Sequence, residues 1–214
     1  METTLRKGLA ALGLPCSAAE QLLDFAQRLL EKNQVMNLTA ITDPQDVATL
    51  HLLDCAALLT LCDFRDKAVV DVGTGAGFPG MVLRILEPDF DLTLLDSLGK
   101  RIAWLRQTCD EMGLARVTCV HARAEEFAGE HRQAYDIATS RAVAALPLLC
   151  ELALPLVKTG GCFLAMKSVD SDEEIAAARG AIGQLGGRIE AIRDYVIPCA
   201  AVTHRLVVIR KVKD

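Results

Sequence analysis

An α/β fold built on an open, mostly parallel sheet is predicted by three observations. Short apolar segments alternate with helical segments throughout residues 67–214. A glycine-rich loop joins the first apolar segment to the first of these helices. The last two strand-like segments follow each other with no helix between them, which indicates an antiparallel hairpin closing the sheet. Residues 1–66 show only helical patterns, so we expect a small helical extension before the sheet domain.

The helical extension is predicted to contain two main helices. The first covers residues 17 to about 33, with Ser17 as N-cap and Glu20 completing a capping box. The second begins at Pro44, after a cap at Asp43, and continues past residue 52.

Within the sheet domain, each strand is a short apolar run bounded by turn residues or charges. We predict strands at AVVDVG, DLTLLD, RVTCVHA, YDIATS, GGCFLAMK, RIEAIRDYVI and HRLVVIRKV. We predict helices over residues 80–86, 98–112, 146–157 and 172–185.

Composition excludes several classes of protein. The chain has 214 residues, 51% of them hydrophobic and 24% charged, so it can bury a large core and is not disordered. The 8 cysteines show no CxxC spacing, so we expect neither a metal site nor a disulfide framework. No apolar stretch approaches about 18 residues and no signal-peptide pattern is present, so we expect a cytoplasmic protein without a membrane partner.

Taken over the whole chain, the net charge of −5 mildly disfavours a nucleic-acid partner. However, residues 1–66 carry 9 acidic and 5 basic side chains, which leaves 19 acidic and 18 basic side chains in residues 67–214. The sheet domain is therefore almost neutral. Local basic positions can set the electrostatic field where RNA would dock.

The glycine-rich loop DVGTGAGFPG, residues 71–80, points to a nucleoside cofactor. Gly75, Gly77 and Gly80 spell GxGxxG between a strand and a helix, which is the context that this motif requires. Asp96 ends the second strand, where a carboxylate can bind ribose hydroxyls. Asp71 would repel a pyrophosphate but suits the ammonium group of S-adenosylmethionine. These charges favour a methyltransferase over a nicotinamide enzyme.

The segment after the third strand has two interpretations. Arg123, Ala124, Glu125 and Glu126 fall where side chains and backbone amides could reach an adenine edge. The same residues could equally form a solvated helix start, because acidic side chains are favoured there by the helix dipole.

The end of the fourth strand, Ala138–Ala142, is expected to face the transferring methyl group. It lacks the polar-Pro-Pro-aromatic segment typical of exocyclic amino acceptors, and no cysteine lies near it for cytosine C5 chemistry. A ribose-methylating Lys-Asp-Lys-Glu set is matched only by Lys167. Guanine N7 needs no deprotonation, and Arg141 could bond guanine O6 or a phosphate. Ribose or small-molecule methylation remains the alternative.

Several motifs together resemble the RsmG (GidB) family of small-subunit ribosomal RNA guanine-N7 methyltransferases. They appear in the order NLT at residues 37–39, HxxD at 51–54, DVGTGAGFPG at 71–80, LLDSLGKR at 94–101, RAEE at 123–126, TSRAVA at 139–144 and LAMK at 164–167. The resemblance covers nearly the whole chain. It departs from the family at Cys55, where a serine is usual.

The resemblance implies a Rossmann-like class I S-adenosylmethionine-dependent methyltransferase fold and a guanine in the decoding-region loop of 16S rRNA, free or in the small ribosomal subunit, as acceptor. It also implies S-adenosylmethionine contacts at Gly73, Phe78, Ala124, Glu125 and Arg141, with Asp96 as a ribose partner. The other roles below are assigned from residue type and position. We expect the cofactor site to include Asp71, Gly73, Gly75, Phe78, Asp96, Ala124, Glu125 and Arg141. We expect Arg141, Lys167 and Arg205 to be catalytic, and Asn37, His51, Lys100 and Arg123 to bind RNA.

Some of these positions have an equally simple structural interpretation. His51 and Asp54 are three residues apart, so they could either border the methyl-transfer pocket or form a buried pair tying the extension to the sheet. Asn37 invites the same choice. Lys100 and Arg101 begin a helix, where the dipole disfavours cations, which hints at a phosphate contact. On the last strand, Arg205 should point to the opposite face from Arg210.

Overall fold

The computed structural model describes all 214 residues. They form one seven-stranded sheet with the strand order β3-β2-β1-β4-β5-β7-β6. The strands are β1 Ala68–Val72, β2 Asp91–Asp96, β3 Val117–His121, β4 Tyr135–Arg141, β5 Val157–Ser168, β6 Gly187–Val196 and β7 Thr203–Lys211. The α-helices are α1 Glu2–Ala11, α2 Ala19–Met36, α3 Pro44–Asp46, α4 Asp54–Ala56, α5 Leu58–Leu61, α6 Gly80–Leu86, α7 Gly99–Glu111, α8 Ala124–Glu130, α9 Leu146–Ala153 and α10 Asp172–Gln184.

The sheet topology confirms the predicted α/β class and the closing hairpin. Strands β1 to β5 run parallel to one another, because a helix after each of β1 to β4 returns the chain to the end of the sheet at which the strands begin. Strand β7 lies antiparallel between β5 and β6. Consequently the carboxyl ends of β2, β1, β4 and β5 lie side by side along one edge, where open α/β sheets bind their ligands.

Each face of the sheet packs against its own group of helices. On one face, apolar side chains of the sheet share a core with α1, α2, α6 and α7; Leu5, Phe25, Met81 and Leu94 are fully buried in it. On the other face, α9 and α10 pack over the sheet. Residues 1–66 therefore bury their apolar side chains in the same core as the sheet.

The extension differs from its predicted form in three respects. Helix α1 is additional. Ser17 lies in a short 3₁₀ turn, Cys16–Ala18, and the N-cap of α2 is Ala18, which makes no side-chain capping bond. The capping box is therefore wrong, because the 3₁₀ turn already supplies the first helical turn.

The segment after Pro44 starts as predicted but is not one regular helix. Asp43 is the N-cap, with its side chain accepting from the backbone of Gln45 and Asp46. The chain then widens into a π-helix at Val47–Leu53 before α4 and α5. Such π-segments are rare and occur frequently at functional sites. No helix in the structure has both the length and the apolar character needed to cross a bilayer.

Candidate active site

The loop between β1 and α6 adopts a conformation that requires glycine at two positions facing the open edge of the sheet. Gly73 and Gly75 have positive φ angles of 66° and 60°. At Gly73 a Cβ atom would lie 2.6 Å from the side chain of Val143. At Gly75 no side chain lies near the Cβ position, and this residue borders a cavity. A side chain on Gly75 would therefore occupy ligand space.

Asp71 lies beneath the loop and holds its shape. One carboxylate oxygen accepts from the Thr74 hydroxyl at 2.6 Å and from the Gly80 amide at 3.0 Å, and the other accepts from Thr139 at 3.0 Å. The residue is fully buried, and this burial raises its pKa to about 6. We predicted Asp71 as a cofactor contact, but its carboxylate does not line the cavity. The reason is that the loop folds over it and takes up its oxygens.

Asp96, at the end of β2, does line the cavity. Its carboxylate accepts from the amides of Gly75 at 2.9 Å and Leu98 at 2.8 Å, and Arg101 lies 3.7 Å away. Each oxygen retains acceptor capacity, because a carboxylate oxygen can accept two hydrogen bonds. Asp96 is thus positioned to accept hydrogen bonds from sugar hydroxyls.

The cavity over the ends of β2, β1 and β4, called here the cofactor cavity, has a volume of about 470 Å³. Its walls are Leu38, Thr39, His51, Gly73, Thr74, Gly75, Ala76, Phe78, Asp96, Ser97, Leu98, Arg101, Arg141, Ala142 and Val143. This cavity fits a nucleoside cofactor such as S-adenosylmethionine. It has an acceptor for sugar hydroxyls, apolar walls, and a glycine at the position where a Cβ atom would enter the ligand space.

A second cavity of about 470 Å³, called here the acceptor cavity, opens over the ends of β4 and β5. It is lined by Ile41, Leu50, His51, Asp54, Arg141, Ala142, Met166, Lys167, Ser168, Glu174 and His204. The two cavities share three residues, His51, Arg141 and Ala142. A group passing from one bound molecule to another would cross this shared wall.

Arg141 is the central side chain of the shared wall. Its guanidinium donates to the carbonyl of Leu50 at 2.9 Å, to Asp54 at 3.2 Å and to Nδ1 of His51 at 2.7 Å. It also lies over the ring of Phe78, 4.8 Å from the centroid. Only 15% of the side chain is exposed. Arg141 therefore ties the π-segment of the extension to the end of β4.

The proton on His51 follows from these contacts. Arg141 can only donate, so Nδ1 of His51 accepts and Nε2 carries the hydrogen. Nε2 then donates to the hydroxyl of Thr39 at 2.7 Å. Burial, together with the positive charge of Arg141, lowers the His51 pKa to about 3, so the ring is neutral. The ring stacks on Phe78 with centroids 4.5 Å apart.

Asp54 joins three elements below the acceptor cavity. One oxygen accepts from Tyr195 at 2.8 Å and from Nδ1 of His204 at 2.9 Å, and the other accepts from Arg141. The hydrogen bond to Asp54 raises the pKa of His204. These buried residues thus tie the extension to the sheet, and they also line the cavities.

Lys167 and Arg205 are directly paired between β5 and β7, but they differ in their access to the site. Lys167 lines the acceptor cavity, where it donates to the carbonyl of Ala144 at 2.8 Å and pairs with Glu174 at 2.5 Å. Arg205 does not line it and instead pairs with Asp172 and Asp194, each at 2.6 Å. The neighbouring His204, which is paired with Ser168, lines the cavity, whereas the guanidinium of Arg205 is held by its two carboxylate partners.

Besides Asp71 and Arg205, five further predicted positions line neither cavity. Asn37 ends α2 in a left-handed conformation and is exposed. Lys100 is exposed at the start of α7, and Arg123 is 68% exposed beside Glu125, 3.7 Å away. Ala124 and Glu125 begin α8, beyond the edge of the cofactor cavity. The residues that the sequence missed are Thr39, Tyr195 and His204, although NLT had drawn attention to the first of them.

The fold is similar to those of solved methyltransferases. NSun6 from Pyrococcus horikoshii, solved with SFG, matches 78% of this chain and 53% of its own with a TM-score of 0.61 at 14% identity. TYW2 from M. jannaschii, solved in complex with AdoMet, matches 69% of this chain and 68% of its own with a TM-score of 0.54 at 14% identity. At such low identity these similarities concern the fold alone, which is that of Rossmann-like S-adenosylmethionine-dependent methyltransferases.

Sequence comparison is more specific. This chain is similar to proteins named ribosomal RNA small subunit methyltransferase G. The protein from Clostridium botulinum is 44% identical over 91% of this chain and 82% of its own length. The protein from Alkaliphilus metalliredigens is 42% identical over 98% of this chain and 90% of its own length. One from Staphylococcus carnosus is 43% identical over 90% of this chain and 82% of its own. The family model GidB, rRNA small subunit methyltransferase G, matches residues 18–200. The chain therefore belongs to the GidB family of S-adenosylmethionine-dependent small-subunit rRNA methyltransferases.

Proposed function

We propose that this protein transfers a methyl group from S-adenosylmethionine to N7 of a guanine in the decoding-region loop of 16S rRNA, without a general base. One observation carries the proposal. At the wall shared by the two cavities, every buried side-chain polar atom already has a hydrogen-bond partner within the protein. S-adenosylmethionine, when bound, supplies an electrophilic methyl group. The residues of this chain then have to bind and orient the two molecules and exclude water.

Apart from His204, which is considered below, the groups around the acceptor cavity that could remove a proton are occupied. Nδ1 of His51 accepts from Arg141, and the low pKa of this ring makes it a weak base. Glu174 is paired with Lys167. Cys55 is fully buried, and burial raises the pKa of its thiol far above the usual range. Guanine N7 has an exposed lone pair and suits such a site, because methylation there requires no proton removal.

Positive groups at the acceptor cavity suit a guanine, because its O6 can accept their hydrogen bonds while the N7 lone pair stays free for the methyl group. Lys167 and His204 both line this cavity, and both can donate hydrogen bonds. The imidazole of His204 has its Nδ1 bonded to Asp54, so its Nε2 is the atom left to meet a ligand. The sequence predicted Arg205 as catalytic, but Arg205 does not line this cavity, so we assign contact with the acceptor nucleotide to His204 instead.

RNA outside the cavity would meet exposed basic side chains. Lys100 makes no ion pair, and Arg123 is mostly exposed near the same edge of the sheet. Such contacts position a nucleic-acid backbone without reading its sequence. We propose that Lys100 and Arg123 bind phosphates, and that they do not contact the acceptor base.

The direct test uses small ribosomal subunits from cells that lack this protein. Incubation with the purified protein and S-adenosylmethionine should produce 7-methylguanosine in 16S rRNA, identified by mass spectrometry of the digested nucleosides. A 16S rRNA with 7-deazaguanosine at the mapped position should not be methylated, because it has no N7. Methylation of this analogue, or of a ribose, would disprove the proposal.

One observation favours a second candidate function, methyl transfer to an acceptor that must lose a proton, such as a ribose hydroxyl. The Asp54–His204 pair has the arrangement of a carboxylate orienting a general base. A general base acts only when unprotonated, so the methylation rate would rise as the pH increases through the pKa of His204. A protonated His204 that binds guanine gives the opposite slope. The pH profile of single-turnover methylation distinguishes the two.

A further inference from the structure

We propose that the Thr39 hydroxyl is a specificity-determining donor in the cofactor cavity and binds the carboxylate of the methionyl part of S-adenosylmethionine. The proposal rests on the cofactor of the family and not on the acceptor base proposed above. It can therefore fail without affecting that assignment, and the binding test below contains no RNA.

The first step of the argument is the direction of the hydroxyl hydrogen. The oxygen of Thr39 accepts from the amide of Ile41 at 3.0 Å and from Nε2 of His51 at 2.7 Å. A hydroxyl has two acceptor lone pairs and one hydrogen. Both lone pairs are therefore used, and the hydrogen is left to donate elsewhere. Thr39 lines the cofactor cavity, and no protein acceptor takes this hydrogen.

The second step is that Thr39 is held rigidly. The side chain of Asn33 forms two hydrogen bonds with the backbone of Thr39, accepting from its amide at 2.9 Å and donating to its carbonyl at 3.0 Å. With Ile41 and His51, four hydrogen bonds fix the residue in place. A preorganised donor loses little freedom when a ligand binds, so its hydrogen bond contributes more to affinity.

The third step is the position of Thr39 along the sheet edge. Asp96, the acceptor for sugar hydroxyls, ends β2 on one side of the glycine loop. Arg141 ends β4 on the other side, and Thr39 joins Arg141 through His51. Asp96 and Thr39 line the same cavity, and in this proposal a nucleoside whose sugar binds Asp96 extends its remaining substituent towards Thr39. In S-adenosylmethionine that substituent is the amino acid.

The fourth step is the shortage of other donors for an anion. The cofactor cavity contains two cations, Arg101 and Arg141. Arg101 lies 3.7 Å from Asp96, and Arg141 donates to Asp54, His51 and the carbonyl of Leu50. Three of the five N–H donors of Arg141 are thus committed to the protein, so a carboxylate bound here would also draw on neutral donors. The Thr39 hydroxyl is such a donor, and a hydrogen bond to an ionised group is stronger than one between neutral groups.

Calorimetry with two ligands tests this assignment. S-adenosylhomocysteine has the carboxylate, and decarboxylated S-adenosylhomocysteine differs by lacking it. Thr39→Val should weaken binding of S-adenosylhomocysteine about tenfold or more, which corresponds to about 1.4 kcal/mol. It should change binding of the decarboxylated ligand much less, and Thr39→Ser should restore the preference. Thr49→Val is the matched control, because Thr49 bonds only backbone carbonyls in the same segment and lines neither cavity.

Equal weakening of both ligands by Thr39→Val would overturn the proposal, because a merely structural role would affect both. No weakening of either would overturn it as well. If Thr39→Val does not fold, Thr39→Cys serves as the second variant, since a thiol keeps the shape but donates weakly. In Thr39→Cys, we expect a smaller ratio between the affinities for S-adenosylhomocysteine and for its decarboxylated form. If this ratio were the same as in the parent protein, the assignment would be contradicted.

Discussion

Arg141 shows how one side chain can be both a site residue and a structural one. From the sequence alone, Arg141→Ala would remove methylation and leave the fold intact. The structure changes this expectation, because the buried Asp54 would lose its only cationic partner apart from the imidazole of His204. We expect Arg141→Ala to lower the free energy of unfolding by about 3–5 kcal/mol and to abolish methylation.

Arg141→Lys is the matched control for that prediction, because it retains the charge but not the planar set of donors. We expect it to keep most of the stability and lose most of the methylation activity. Chemical denaturation and a methyl-transfer assay on small ribosomal subunits measure both quantities. An Arg141→Ala protein as stable as the parent would contradict the buried bridge to Asp54.

His51 gives a pH dependence with a defined sign. Its pKa is lowered from 6.5 to about 3 in the folded protein. The neutral ring therefore contributes stability above pH 6.5, and this contribution decreases as the pH falls towards about 3. We expect the parent protein to lose more stability than His51→Gln over this range, measured by urea unfolding at several pH values. Parallel curves for the two proteins would show that His51 is not held neutral.

At the scale of single elements, the glycine loop separates folding from binding. Gly75 and Gly13 have similar positive φ angles of 60° and 68°, and at both no side chain lies near the Cβ position. Alanine at either position should therefore cost about 1 kcal/mol of stability through backbone strain. Of these two glycines, only Gly75 lines the cofactor cavity. Gly75→Ala should in addition weaken S-adenosylhomocysteine binding, measured by calorimetry, whereas Gly13→Ala should leave it unchanged.

The elements were largely predictable from the sequence, but the face that each residue occupies was not. The prediction DLTLLD matches β2, Asp91–Asp96, because a short apolar run bounded by polar residues has few alternatives in a parallel sheet. In contrast, choosing between His204 and Arg205 depends on the register of β7 against β5. The bond between Asp54 and His204 joins residues 150 positions apart, and no local pattern encodes it.

The same limit applies to the π-segment Val47–Leu53. Its apolar spacing is compatible with an ordinary helix, so the sequence predicted one. The wider turn brings His51 and the carbonyl of Leu50 to Arg141, and this contact forms only when the extension packs on the sheet. The candidate site therefore depends on the packing of the two parts of the chain.

At the scale of the whole molecule, we expect residues 1–66 and 67–214 to unfold as one cooperative unit. Phe25 of the extension packs against Phe78 and against Trp104, the only tryptophan of the chain, with ring centroids 5.6 and 6.3 Å apart. Leu149 is buried on the opposite face of the sheet. Phe25→Ala and Leu149→Ala should each lower the free energy of unfolding by about 2–5 kcal/mol. In both variants, the tryptophan fluorescence and circular dichroism transitions should shift together. If residues 1–66 unfolded independently, two unfolding transitions would appear. Phe25→Ala would then shift one of them and Leu149→Ala would shift the other.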